Sequence, residues 1–117
     1  MNKRKLGFAK EDVAARFLTE CGLIILELNY SNRFREIDII ARDGKYTVFV
    51  EVKYRKNASS GHPEEAVNFS KARIISKVAD YYRISHKLSE ADPVRFDVVA
   101  IEGDTFKWYK NAFSYMC

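Results

Sequence analysis

Cysteine, histidine and proline are scarce, with two of each among 117 residues, and the first two shortages close a class of readings. Cys21 and Cys117 stand far apart, neither in a CxxC pair, and His62 and His86 are distant from both in sequence. That spacing supplies neither a zinc site nor a disulfide framework. Cys21 reads most simply as a small core residue. Glycine is limited to five residues, and no repeat or low-complexity tract is present. No apolar run approaches the roughly 20 residues that span a bilayer. The basic start, Met1 to Lys5, leads into a pattern containing Glu11, Asp12 and Arg16, where a secretory signal would need an unbroken apolar stretch. A cytoplasmic protein without membrane contact is expected.

What the chain does contain is a normal globular share of hydrophobic residues, 47%, enough for one core in a single domain spanning 1–117. Net charge is +4 with both signs abundant, a balance that mildly favours a polyanionic partner. Basic residues cluster at Lys3, Arg4 and Lys5, at Arg33 and Arg35, at Lys53, Arg55 and Lys56, and at Lys71, Arg73 and Lys77. Negative charge ringed by positive charge suits a phosphate backbone bridged by metal.

That negative charge lies in the stretch 36–53. Two β-rich runs flank Asp43-Gly44, a strong signal for a tight hairpin. With those two as the loop, Arg42 faces Lys45, Ile40 faces Thr47, Asp38 faces Phe49 and Glu36 faces Glu51. Side chains alternate with period two, so Glu36, Asp38 and Ile40 share a face with Thr47, Phe49, Glu51 and Lys53. The opposite face, Ile37, Ile39, Ala41, Tyr46, Val48, Val50 and Val52, is almost wholly apolar. Like charges facing each other destabilise a strand pair, and Asp38 is diagonal to Glu51, roughly 7 Å away on a regular ladder. A divalent cation between them would convert repulsion into coordination, because Mg²⁺ prefers oxygen ligands. The other reading is a solvated face with Lys53 neutralising one acid.

Around this hairpin, residues 5–21 read as an amphipathic helix. Leu6, Val13, Ala14, Phe17 and Leu18 form its stripe, and Gly22 sits at the C-terminal cap. Glu11 flanks the stripe, facing either solvent or the core edge. Residues 23–30 form a strand candidate and 29–35 a polar connection. The basic segment from Tyr54 to Pro63 reads as a substrate-contact loop or as a plain connector. A short helical turn at 63–67 and a helix over 70–86 follow, the latter with Ile74, Ile75, Val78, Ala79 and Tyr82 as its stripe. With Ser70 as N-cap, Lys71 opens the first turn against the helix dipole, which favours a nearby anion or simple solvation. Residues 95–101 form a buried strand, parallel to the one ending at Lys53 because a βαβ crossover joins them. Asp97 is either a site residue or a partner of Arg95 or a lysine. Gly103-Asp104 makes a turn, and 106–109 a last strand. Trp108 and Phe113 read as packing groups. The expected fold class is α/β, a mixed sheet in the order αβββαββ flanked by helices.

Asp38, twelve intervening residues, then Glu51-Val52-Lys53 resembles the PD-(D/E)xK signature of restriction-endonuclease-like nucleases. The whole chain resembles the bacterial YraN-like family, related to archaeal Holliday-junction resolvases. The likeness runs through Gly7, Glu11, Ala14, Leu18, Gly22, Asn29, Glu36-Ile37-Asp38, Val48 to Lys53, Arg55, Gly61, Lys71, Ala79, Arg95 to Val99 and Asn111-Ala112-Phe113. Lys10 and Arg35 stand where that family usually has glycine. The resemblance implies a restriction-endonuclease-like core and a DNA endonuclease acting on branched or junction DNA, working as a homodimer. It also implies that Asp38, Glu51, the Val52 carbonyl and Glu11 hold Mg²⁺ or Mn²⁺, with Lys53 orienting the attacking water. Glu36 would support the metal site, and Arg35, Arg55, Lys56 and Lys71 would meet the nucleic acid. The alternative is a nucleic-acid-binding module that keeps the fold without turnover.

Overall fold

A computed structural model describes residues 3–32, 36–55, 69–89 and 91–112, with the side chains of 3–11, 55 and 69–71 outside the description. Along the chain run α1 (Lys3–Glu20), β1 (Ile24–Ser31), β2 (Glu36–Asp43), β3 (Tyr46–Arg55), α2 (Phe69–Ser85), β4 (Val94–Glu102) and β5 (Thr105–Tyr109). The strands form one mixed sheet in the order β1-β2-β3-β4-β5. β3 and β4 are parallel and the other neighbours antiparallel. The parallel pair is the product of the crossover through α2, since parallel neighbours cannot be joined by a tight turn.

Each helix covers one face of the sheet. α1 brings Ala14, Ala15 and Leu18 onto Ile39, Ala41, Val48, Val50, Val52, Val99 and Ile101. α2 brings Ile75, Val78, Ala79 and Tyr82 onto Ile37, Ile40, Phe49 and Phe96. Covering both faces explains why β3 and β4 are nearly continuous apolar runs rather than alternating ones. The helical stripes differ slightly from expectation. Val13 and Ile74 are exposed, while Ala15 and Ala72 are buried. Cys21 is exposed as well, because the helix ends beside it and Leu23 takes the core position.

Both helices end in the same way. Gly22 (φ 102°) donates to the Thr19 carbonyl and Leu23 to that of Leu18, the paired bonds of a Schellman cap. At α2, Lys87 donates to Ile84 and Leu88 to Arg83, but Lys87 carries the positive φ, 58°, without being glycine. A left-handed non-glycine residue costs on the order of 1 kcal/mol. Lys87→Gly is expected to raise stability by about 0.5–1 kcal/mol after glycine's greater chain entropy is subtracted. Urea unfolding against the parent chain measures it.

The hairpin register differs from expectation by two residues. Asp43 pairs with Tyr46, Arg42 with Thr47 and Ile40 with Phe49, so the loop is Gly44-Lys45. Gly44, at φ 62°, supplies the positive φ that a type II′ turn needs at its first position. A slip of two leaves every residue on its expected face, whereas a slip of one would have inverted them all. A separate break in the alternation does change a face. Ile37 packs under α2 with Tyr30, not under α1. Its cause lies in β1, where Asn29 has φ 54° between the pairs Leu28–Ile39 and Tyr30–Ile37. The alternation breaks there on both strands together. β1 therefore continues through Asn29 to Ser31, where a polar connection was expected. Ser70 lies inside α2 rather than before it, since the helix is described from Phe69. The expected turn at 63–67, the loop beyond Arg55 and Phe113 lie outside the described residues.

Tyr82 shows how α2 is fixed. Its ring meets Phe49, Tyr30 and His86 at centroid distances of 5.6, 5.3 and 3.9 Å. Burial, followed by the charge of Glu27, raises its hydroxyl pKa above the ordinary 10.0. The unfolded chain therefore ionises first as pH passes 10, so the contribution of Tyr82 is complete below that pH and lost as pH climbs through the raised value. Tyr82→Phe is expected to lose stability less steeply above pH 10, measured by urea unfolding across that range.

Candidate metal and nucleic-acid site

β2 and β3 pair only as far as Ile39 and Val50. Beyond that point β2 stays with β1, through Tyr30–Ile37 and Ser31–Glu36, while β3 stays with β4 as far as Arg55–Glu102. The sheet forks at Asp38 and Glu51. A fork exposes backbone groups that a ladder would have satisfied, and the chain answers with a side chain. The Val52 N–H donates to Asp38 Oδ2 at 2.7 Å, so a carboxylate replaces the missing strand carbonyl. The N–H and C=O of a strand residue point to the same side, so the Val52 carbonyl also opens towards the fork.

Glu51, one residue before Val52, is buried with 4% of its surface exposed, and Lys53 is half-buried. Both lie on the α2 side of β3 with Phe49. Glu36 is exposed at the outer end of β2. The fork thus gathers Asp38 against the Glu51–Val52–Lys53 segment, with Glu36 beside it.

Topology brings the helices to the same end. α1 turns back into β1 beside the hairpin loop, so its N-terminal half lies towards the fork. Glu11 is about 14 Å from the end of α1, and Glu51 is about 17 Å along β3 from Tyr46. Glu11 precedes buried Ala14 and Ala15 by three and four residues in α1. Its side chain lies outside the description. α2 runs back from the end of β3, so its first turn, with Lys71, belongs to the fork end too. Arg55 closes β3 opposite Glu102, and the side chains of Arg55 and Lys71 are not described. Arg35 and Lys56 lie outside the described residues.

Asp97 belongs elsewhere. It is fully buried on the α1 side and accepts from Arg95 (Nε 3.0 Å, Nη2 2.9 Å), Trp108 Nε1 (2.9 Å) and the Asn111 N–H (2.9 Å). Arg95 Nη2 also reaches Asp43 Oδ2 at 2.9 Å, and its guanidinium lies 5.5 Å from the centre of the Tyr46 ring. Burial alone would lower the Arg95 pKa, but hydrogen bonds and charge from Asp97 and Asp43 outweigh it and raise the value. Of the two readings of Asp97, the pairing with Arg95 is the one realised.

The model of the uncharacterised protein family UPF0102 matches residues 10–101. The chain belongs to this family. It is 49% identical to a UPF0102 protein of Lachnoclostridium phytofermentans, covering 97% of this chain and 96% of that one. It is 40% identical to one of Legionella pneumophila over the whole of both chains. A UPF0102 protein of Fusobacterium nucleatum is 43% identical across 95% of this chain and 92% of its own length. The span matched in UPF0102 includes Asp38, Glu51, Val52 and Lys53 at the fork, and Asp43, Arg95 and Asp97 but not Trp108 or Asn111 of the Asp97 network.

The polar groups that the fork brings together, the Asp38 and Glu51 carboxylates and the Val52 carbonyl, are all oxygen donors. Such hard donors fit Mg²⁺ or Mn²⁺ and do not suit softer metals. Among the described residues, which leave out the Glu11 side chain, no group of three or more His, Cys, Asp or Glu forms a metal cluster. No described helix is long and apolar enough to cross a membrane. The expected substrate-contact loop begins later than Tyr54, because Tyr54 and Arg55 are the last residues of β3. Tyr54, between Lys53 and Arg55, is 57% exposed at the rim of the fork.

Proposed function

We propose that this chain is a metal-dependent DNA endonuclease with a restriction-endonuclease-like core, acting on branched or junction DNA as a homodimer. The observation that carries the reading is the fork. The sheet gives up its ladder where Asp38 and Glu51 stand, and Asp38 is held against Val52 by a 2.7 Å hydrogen bond. An opening lined by fixed carboxylates is of little use to a structural strand pair and well suited to a cation and a phosphate.

Asp38, Glu51, the Val52 carbonyl and Glu11 would hold Mg²⁺ or Mn²⁺, which lowers the pKa of bound water and offsets charge at phosphorus. The chain's own residues do the rest. Val52 N–H keeps the Asp38 carboxylate oriented towards the opening. Lys53 orients the attacking water and stabilises negative charge on the phosphoryl oxygens as the 3′ oxygen leaves. Lys71, at the first turn of α2, meets a phosphate where backbone N–H groups already favour an anion. Arg35, Arg55 and Lys56 contact the flanking backbone.

A second reading, a nucleic-acid-binding module without turnover, draws on the same basic residues. Labelled linear, single-stranded, flapped and four-way-junction DNA incubated in Mg²⁺, Mn²⁺ or EDTA separates the two. Cleavage in Mg²⁺ or Mn²⁺ but not in EDTA supports the nuclease. Junction binding in EDTA with no cleavage in either metal favours the module.

A further inference from the structure

We infer that the outer face of α2 is the surface on which two copies of this chain pair, helix against helix and antiparallel. This rests on the homodimer of the reading above and adds its interface. Ala72, Ile75, Val78, Ala79 and Tyr82 turn towards the sheet and are buried. On the opposite side of the helix runs a second row, Ile74, Lys77, Tyr81 and Ile84, all four exposed. At about 100° per residue they fall within about 80° of arc. That is the line of a surface helix farthest from the core, where charged and polar side chains are the rule. Here Lys77 is the one charge, while Ile74, Tyr81 and Ile84 are 39%, 43% and 77% exposed. Their spacing of three, four and three positions is that of a seam between two helices.

The row is complementary to itself when one copy is turned end for end. With a two-fold axis beside Ala79, Ile74 of each copy meets Ile84 of the other, and Lys77 meets Tyr81 and the adjacent Asp80. The apolar ends cover each other, and the one charge gains a carboxylate and an aromatic face. Asp80 lies 3.9 Å from Arg83 of its own helix, and a carboxylate has acceptor positions for a second cation. A parallel pair would instead set Lys77 against Lys77 and Asp80 against Asp80. Charge therefore selects a second copy in the antiparallel direction, and the result is a closed two-fold dimer. Such a pair also brings the first turn of each α2 beside the last turn of the other. The helix has 17 residues, a length of about 25 Å. The two forks then stand at opposite ends of the pair, which suits two cuts placed symmetrically.

The test reads mass, so that cleavage plays no part. Sedimentation equilibrium of the full chain without DNA is expected to give twice 13.6 kDa. Ile84→Glu, at a position outside the apolar clusters, is expected to keep the fold and to raise the dimer Kd by about 30-fold or more. Lys77→Glu and Asp80→Lys are each expected to weaken the homodimer, because each sets like charges across the axis. Mixed in equal amounts, those two variants are expected to pair with each other as tightly as the wild type does, since each charged contact is then between opposite signs. Circular dichroism checks that every variant is folded, and the mixture carries its own control in the two separate proteins. A wild type that is monomeric at about 0.1 mM overturns the inference. So does a dimer that Ile84→Glu and Lys77→Glu leave intact, or a mixture of the two charge variants that stays monomeric. A wild-type monomer that cuts DNA in Mg²⁺ or Mn²⁺ would remove this inference and leave the nuclease. A dimer governed by α2 that cuts nothing would do the reverse.

Discussion

Lys53→Ala is expected to fold, to bind DNA and to fail to cut it. Removing one preorganised charge-stabilising group lowers a rate by about 10² to 10³, which takes a modest nuclease below detection in an ordinary assay. Folding should survive, because Lys53 is half-buried at the rim and the apolar clusters lie behind it. Binding should fall only modestly and in a salt-dependent way, as for the loss of one phosphate contact. Purified by the same steps, this variant also reveals any contaminating nuclease. Asp38 separates position from charge. Asp38→Asn keeps an oxygen for the Val52 N–H at the fork while losing the carboxylate, so it should be inactive and folded. Asp38→Ala leaves that N–H without its acceptor and should cost about 1–3 kcal/mol of stability in addition. Cleavage rates, circular dichroism and urea midpoints for the three proteins decide the matter. Wild-type cleavage retained in Lys53→Ala would sink the assignment.

The largest effect on stability is expected at Asp97, away from the fork. Its carboxylate is fully buried and holds together four parts of the chain: β4, the hairpin turn through Arg95 and Asp43, β5 through Trp108, and the Asn111 backbone. Asp97→Ala leaves a largely buried guanidinium without its main partner, a loss of about 3–5 kcal/mol. A domain of this size has roughly 5–15 kcal/mol in total, so much of the chain should be unfolded at modest urea. Replacing both charges, as in Arg95→Met with Asp97→Leu, should recover part of the loss. The recovery should be incomplete, because Trp108 Nε1 and the Asn111 N–H would still lack an acceptor. Urea unfolding of the two single variants and the double variant gives the coupling energy directly. A single variant as stable as the parent would refute the role given to Asp97.

Strand alternation was enough to put Phe49 on one face of β3 and Val48, Val50 and Val52 on the other, because period two tolerates the two-residue difference in hairpin register. The placement of Gly22 at the end of α1 was equally readable, since a left-handed cap asks for glycine. The parallel partnership of β3 and β4 followed from the length of the crossover. These are local or topological constraints, and a sequence states them directly.

Other features depended on what came to lie beside a residue. Ile37 changed face because Asn29, on a neighbouring strand, adopts a positive φ that its side chain permits but does not demand. Asp97 could not be placed from its own surroundings in the chain, since its partners lie between 2 and 14 positions away and Asp43 joins through Arg95 from 52 positions away. The exposure of Tyr54 depends on where the covering of α1 ends, which no alternation pattern records. Sequence alone determined the order of helices and strands, most of the strand faces and the acids and lysine they carry, because backbone geometry imposes those on any chain with this pattern. Only the tertiary structure decided that the sheet forks at Asp38, that Asp97 is consumed by Arg95, and that Tyr54 stays in water, because each depends on which surfaces meet.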